Sequence, residues 1–440
     1  MTVQQTDQAT SYDLDDLIRR DRVHGSLYTE PQVFDQEMAV LYERAWVFVA
    51  HESEIKEPGD YLTRRIGRQP VIVARAKDGS IRVMLNRCTH RANLLCRAPE
   101  GNAALFRCPF HGWTFSNDGR LQGVSFRGGY DQPMSELRDE LGLTQASQVG
   151  TYGGFVFANL FGDAGPLEDY LGEAKSAIDR LLALSPEGTI ELCAGWMKHR
   201  TAANWKIVNE VQVDGYHPLF VHESVYKAIM PAKVDYASDE LQVATRDLGG
   251  GHSEVDYSPE YRAQDAEFIW FKRIGRDKVP QYVAALEERH GAERAHEIMV
   301  DGPPHTFIWP NLFLAEMHVM MVEPLAADDS IQYTAPIALT GADEVNRRAL
   351  RNAEGAMGPA GFLIADDAEM GERNQLGLAA REPEWVLLAR GFSGEQSEPR
   401  GLTSYDRTSE TPQRGMWSHY KRCMTSADSN SHNDGGVLDD

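Results

Sequence analysis

Apolar and polar positions change their rhythm along this chain, and the changes divide it into segments. Residues 12 to 46 read as mainly helical and lead into Trp46-Val47-Phe48-Val49-Ala50, a strand-like run. From there to about residue 160, short β-rich runs such as Val71 to Ala74 and Phe155 to Ala158 alternate with Gly and Asp turns, the pattern of a small β-domain. A helical stretch is expected from Leu167 to Leu184. Beyond it strands, for example Thr306 to Val322, mix with helices such as Asp343 to Met357, giving an α+β character. The segment from Thr425 to Asp440 is rich in Ser, Asn, Asp and Gly and reads as a disordered tail. The expected organisation is a helical extension over 1–45, an all-β domain over 46–162, a larger α+β domain over 163–424, and the tail over 425–440.

Composition narrows the class. A chain of 440 residues with 42% hydrophobic and 25% charged residues is long enough for two domains and has the balance of a globular protein. Met1 to Arg20 lacks the apolar core of a signal peptide, and no run approaches eighteen apolar residues, so a membrane location is not expected. Five Cys without a disulfide-like framework fit a reducing cytoplasm. A net charge of -22 argues against a nucleic-acid partner, whose phosphates demand Lys and Arg. Against that acidic background, residues 61–127 hold twelve Lys or Arg and three acids. Such a basic island steers an acidic partner or is simply solvated surface charge.

Within the island lie Cys88-Thr89-His90 and Cys108-Pro109-Phe110-His111-Gly112-Trp113. One Cys and one His from each of two short loops is the ligand set of a Rieske [2Fe-2S] cluster, in which two Cys hold one iron and two His the other. A tetrahedral zinc site also takes two Cys and two His. The order argues against zinc, because each loop supplies a mixed pair instead of a Cys pair followed by a His pair.

A second group follows about one hundred residues later: Asn204-Trp205-Lys206, Glu210, and Asp214-Gly215-Tyr216-His217-Pro218-Leu219-Phe220-Val221-His222. Two His and a carboxylate with open positions left over form the facial triad of mononuclear non-haem Fe(II). Residues five apart lie about 140° apart on a regular helix, so His217 and His222 would diverge. Pro218 is expected to disfavour helix at His217 and break the chain between the rings. A solvated helix end is the alternative for these residues taken alone.

Together these motifs resemble the large (alpha) subunits of Rieske non-haem iron aromatic-ring-hydroxylating dioxygenases, over most of the chain from Tyr28 to about Met424. The resemblance implies an N-terminal all-β Rieske domain, a C-terminal catalytic domain of antiparallel sheet flanked by helices on which the 1–45 extension packs, cluster ligands Cys88, His90, Cys108 and His111, and iron ligands His217 and His222. Asp214 would bridge a cluster His and an iron-ligating His by hydrogen bonds. Gly358-Pro359-Ala360-Gly361-Phe362 resembles the segment that precedes the family's third iron ligand, which points to Asp367, with Asp366 an ordinary helix-start acid. Many members carry Glu-Asn where this chain has Glu210-Val211, so the role of that Asn does not carry over.

The implied reaction inserts O2 into an aromatic substrate, giving a cis-dihydrodiol, with electrons from NAD(P)H through a separate reductase and usually a ferredoxin. Implied partners are a small beta subunit and further alpha copies, as α3 or α3β3. A Rieske monooxygenase that hydroxylates or demethylates is the alternative, and an electron carrier without active iron a more distant one. Asn311 to Val322, an apolar Met-rich stretch, reads as a single strand that is either pocket wall or core. It carries no Lys or Arg to anchor a carboxylated ring, and His318 is its only candidate.

Overall fold

The computed structural model describes residues 14–224, 227, 243–262, 268–269, 274–352, 357–358 and 361–431. The stretch expected to be helical before residue 46 is mixed. A short hairpin, Ile18–Arg19 with Arg22–His24, precedes helix α1 (Pro31–Glu37), which passes into one π-helical turn at Met38–Tyr42.

The N-terminal β-region is built from three small antiparallel sheets. In chain order its strands are β1 (Val47–His51), β2 (Asp60–Ile66), β3 (Gln69–Arg75), β4 (Ile81–Leu85), β5 (Glu100–Asn102), β6 (Leu105–Arg107), β7 (Thr114–Ser116), β8 (Leu121–Gly123), β9 (Gln148–Tyr152) and β10 (Phe155–Asn159). They pair as β4-β3-β2-β5, β8-β7-β6 and β9-β10-β1. Continuous burial of Val71 to Ala74 and of Phe155 to Asn159 explains why these runs are apolar throughout instead of alternating.

The second region is organised by a nine-stranded antiparallel sheet. Its strands are β11 (Met197–Thr201), β12 (Ala244–Gly249), β13 (His252–Asp256), β14 (His305–Ile308), β15 (Leu312–Ala315), β16 (His318–Ala326), β17 (Asp329–Pro336), β18 (Gln396–Glu398) and β19 (Gly401–Ser404), in the spatial order β11-β17-β16-β15-β14-β13-β12-β19-β18. Together with its helices this makes the protein α+β. The stretch Asn311 to Val322 is corrected from one strand to a hairpin: Ala315 pairs with His318, and Glu316 and Met317 both take positive φ. Two left-handed residues give a two-residue turn the twist that antiparallel strands need, without the Asn-Gly signature that announces it in sequence. Both faces of the hairpin are core: Leu312, Leu314, Val319 and Met321 pack on one side, Phe313, Met320 and Val322 on the other.

Four further helices matter for the site: α2 (Trp205–Gln212), α3 (Pro218–Val221), α4 (Ile364–Gly377) and α5 (Thr411–Ser431). A charged knot ties α1, α2 and α5 together in the core. Lys206 Nζ lies 2.5 Å from Glu37 Oε1, while Trp205 Nε1 and Tyr420 OH donate to the same carboxylate at 2.8 Å. Helix α5 continues through Ser431, correcting the expectation that disorder begins at Thr425, and buried Trp417, Tyr420 and Met424 anchor it. Residues 432–440 of that expected tail, and 1–13 of the expected extension, lie outside the described residues.

Candidate metal centres

The two Cys-His loops are built alike. In each, the Cys N–H donates to the carbonyl five residues on, Cys88 to Asn93 at 2.9 Å and Cys108 to Trp113 at 2.7 Å. In each, the Cys carbonyl accepts the N–H four residues on, from Ala92 at 2.9 Å and Gly112 at 3.0 Å. Ala92 and Gly112 both have positive φ, so each loop turns back sharply and presents its side chains on one side. The first loop hangs from β4 and is pinned by buried Asn86, whose Oδ1 accepts from Leu95 and Cys96 N–H. The second joins β6 to β7.

Between the loops the two thiols are near neighbours, and burial raises the Cys88 thiol, with Cys108 adding to the rise. The His90 and His111 rings stand 4.7 Å apart, and Trp113 stacks on His90 at 4.7 Å, which locks the ring's tilt. Nδ1 of each His is buried without a hydrogen-bond partner. A buried ring nitrogen with no hydrogen-bond partner is costly unless a bound group takes it up, so the donors fit an inorganic group. Among the described residues, these four do not appear as a group of donors converging on a single ion. Tetrahedral zinc requires that convergence, whereas a two-iron cluster spreads its ligands. Around the loops Arg87, Arg91, Arg97 and Arg107 are exposed, while Arg64, Arg65, Arg68 and Arg82 of the same basic island are spent on Glu54, Glu323, Asp35 and Asp78.

The second centre is assembled from separate helices. Asn204 caps α2, its side chain accepting from Lys206 N–H at 3.0 Å, and the helix ends at Gln212. The chain then turns at Gly215, where a Cβ would sit 2.2 Å from the Arg407 carbonyl oxygen, so only glycine fits. Asp214 Oδ1 accepts from Tyr216 N–H at 2.6 Å. His217 is helical, with φ -60° and ψ -35°, and Pro218 starts α3. This corrects the expected break at Pro218: a first-turn proline sacrifices no hydrogen bond. The rings meet because α3 is a single turn and His222 lies beyond its end at φ -99°, ψ 21°. Their centroids are 5.3 Å apart.

Asp367 reaches both from the first turn of α4. Its Oδ1 is 3.3 Å from His217 Nε2 and 3.1 Å from His222 Nε2, and the three donor atoms lie within 4.8 Å of one another. Asp367 Oδ1 has no partner in hydrogen-bond geometry, as expected when donors aim at a shared central point and not at each other. The opposite nitrogens face carboxylates: His217 Nδ1 is 3.5 Å from Asp214 Oδ2, and His222 Nδ1 is 3.5 Å from Asp366 Oδ2. Burial depresses His217 most, yet Asp214 and Asp367 outweigh it and raise the ring to about 9. Burial likewise raises Asp367, but His217 and His222 pull it below the ordinary carboxylate range. Both shifts come from the imidazole–carboxylate contacts themselves, and two imidazoles with a carboxylate are a donor set that suits a divalent cation. Sequence reasoning placed His217, His222, Asp367 and Asp214 here and missed the position of Asp366; the adjacent acid pair was its only signal.

Residues 45–130 match the Rieske [2Fe-2S] domain, and 188–426 match the catalytic domain of the ring hydroxylating alpha subunit. The chain belongs to the ring-hydroxylating alpha-subunit family. The toluate 1,2-dioxygenase alpha subunit of Pseudomonas putida is 32% identical over 83% of this chain and 82% of its own. The anthranilate 1,2-dioxygenase large subunit of Acinetobacter baylyi is 32% identical over 84% and 80%. Naphthalene 1,2-dioxygenase from Rhodococcus sp., solved with indole, superposes with a TM-score of 0.79 at 26% identity, covering 92% of this chain and 94% of that one. This ring-hydroxylating alpha subunit is thus an oxidoreductase, the oxygenase component of an aromatic dioxygenase, with a Rieske [2Fe-2S] cluster and a mononuclear iron. Among the described residues no helix is long and apolar enough to cross a membrane.

Proposed function

We propose that Cys88, His90, Cys108 and His111 hold the [2Fe-2S] cluster and that His217, His222 and Asp367 hold the mononuclear iron. The observation that carries this is the convergence of two Nε2 atoms and one carboxylate oxygen, with a carboxylate facing each imidazole's other nitrogen. Such outer carboxylates fix the ring tautomer and raise ligand basicity. When bound, the iron supplies O2 activation beside the substrate. The chain's own part is to hold three donors on one face of that ion, keep both imidazoles oriented, and leave the remaining positions open.

Asp214 is proposed as the electron bridge. Within one chain it contacts Tyr216 and His217, and none of its hydrogen bonds among the described residues reaches His90 or His111. The cluster it serves is therefore assigned to another copy, which supports a trimer of alpha subunits, alone or with a small beta subunit. A cleft of about 1030 Å³ beside Asp214, walled by Glu210, Glu410 and residues 373–388, gives room for such an approach. The exposed arginines round the cluster suit an acidic ferredoxin or reductase delivering electrons from NAD(P)H. The setting proposed is the cytoplasm.

The reaction proposed is cis-dihydroxylation of an aromatic ring. Reconstitution with reductase and ferredoxin, a panel of aromatic acids and hydrocarbons, and isotopically labelled O2 tests it: two labelled oxygens in one product are expected. A single labelled oxygen, or a demethylated product, establishes the monooxygenase reading instead.

A further inference from the structure

Buried polar atoms without partners are rare in folded proteins, and each asks for an explanation. Three of them belong to two carboxamides on α2: Asn209 Oδ1, and both Oε1 and Nε2 of Gln212. Residues three apart share a helix face, so the two amides lie side by side. Asn209 is fully buried and spends only its Nδ2, donating to the Pro310 carbonyl at 3.1 Å. Gln212 spends neither end of its side chain. Its backbone carbonyl instead lies 3.0 Å from His305 Nε2, and His305 is close enough to feel the charges on His217 and Asp367. The His305 ring stands edge-on to Phe313 at 4.8 Å and to Tyr257 at 5.3 Å. The end of α2 that carries Gln212 therefore lies next to the triad through His305, whose aromatic neighbours give the mix of apolar surface and few polar groups that small-molecule sites use.

Resting on the reading that an aromatic ring lies over iron at the triad, we propose that Gln212 is a specificity-determining residue: its carboxamide, with the Asn209 oxygen beside it, hydrogen-bonds a ring substituent that both donates and accepts, namely a hydroxyl, amino or carboxamide group. The unmatched set is one NH2 and two carbonyl oxygens. A bare hydrocarbon leaves all three unpaired, and a lone carboxylate brings its charge against two carbonyl oxygens.

The test is equilibrium binding to the holoenzyme by calorimetry, with phenol, aniline, benzamide, benzoate and toluene as probes, in wild type and Gln212→Leu. The variant is expected to lose roughly tenfold in affinity for phenol, aniline and benzamide, and to bind toluene as well as or better than wild type. Equal changes for all probes, as for an amide that only holds water, overturn the proposal, as does a loss larger for benzoate than for aniline. Gln212→Met repeats the experiment if the leucine variant folds poorly. Iron content of the same samples keeps the two readings apart: absence of triad iron in wild type sinks the site assignment, whereas selective loss with iron retained in both proteins supports Gln212.

Discussion

The cluster loops and the triad are two candidate metal centres made in opposite ways. The cluster residues come from two short loops on rigid strands, each loop closed by its own backbone hydrogen bonds, with arginines exposed around them. The triad joins helices whose facing residues, His222 and Asp366, are 144 positions apart, and its surroundings are acidic: Asp214, Asp366 and Asp367. On the proposed reading, a relay that must meet a partner is placed at loop tips, and a centre that handles O2 is assembled between helices. The contrast also separates two kinds of robustness, since a local loop tolerates change elsewhere while a composite site depends on how α2 and α4 are held.

The largest effect that would break this comparison is expected from the triad itself. Asp367→Ala should lower turnover by more than about 100-fold and strip the mononuclear iron, while the visible spectrum of the cluster stays intact. Loss of both signals together would mean that the centres are not independent. Asp366→Asn tests the outer carboxylate: about 10- to 100-fold weaker iron binding by chelator competition is expected, with the fold unchanged. Binding as tight as wild type would return Asp366 to a helix-start acid.

Much of this was legible because the chemistry is written in short strings. The Cys-His loops carry ligand type and order within a few residues, and Asp214, His217 and His222 do the same. Asp367 was reached only through resemblance, because nothing local distinguishes a ligand from a first-turn acid. The hairpin turn at Glu316-Met317 escaped because neither residue advertises a positive φ. The helical His217 escaped because the rule for residues before proline is a bias that a one-turn helix overrides. The hairpin before α1 was hidden by the stretch's mainly helical pattern, and Asp366 faces His222 only once α4 is docked.

Smaller effects sharpen the account of how α2 is held. Lys206→Met leaves the Glu37 carboxylate buried without its cation and should cost about 3–5 kcal/mol in denaturant unfolding, with pairing to Glu37→Leu recovering most of it. A single variant as stable as wild type would show that the knot does not anchor the helix. Glu210 is half-buried at the cleft wall, and desolvation raises its carboxyl to about 7 despite hydrogen bonds from Tyr28 and Trp417. A carboxyl raised in the fold contributes stability below its unfolded value near 4.5, and that contribution disappears as pH rises through about 7. Relative to wild type, Glu210→Gln should therefore flatten the stability profile between these limits, by at most about 3 kcal/mol. Parallel profiles would contradict the raised value.

The central claim is that one chain houses two inorganic centres of different kinds. Metal and sulfide analysis of purified wild type and Asp367→Ala, read with their visible and EPR spectra, addresses it directly. About three irons and two acid-labile sulfides per chain are expected in wild type, with one iron lost and both sulfides kept in the variant. Zinc in place of iron and sulfide, or an Asp367→Ala protein that keeps its full iron, would contradict it.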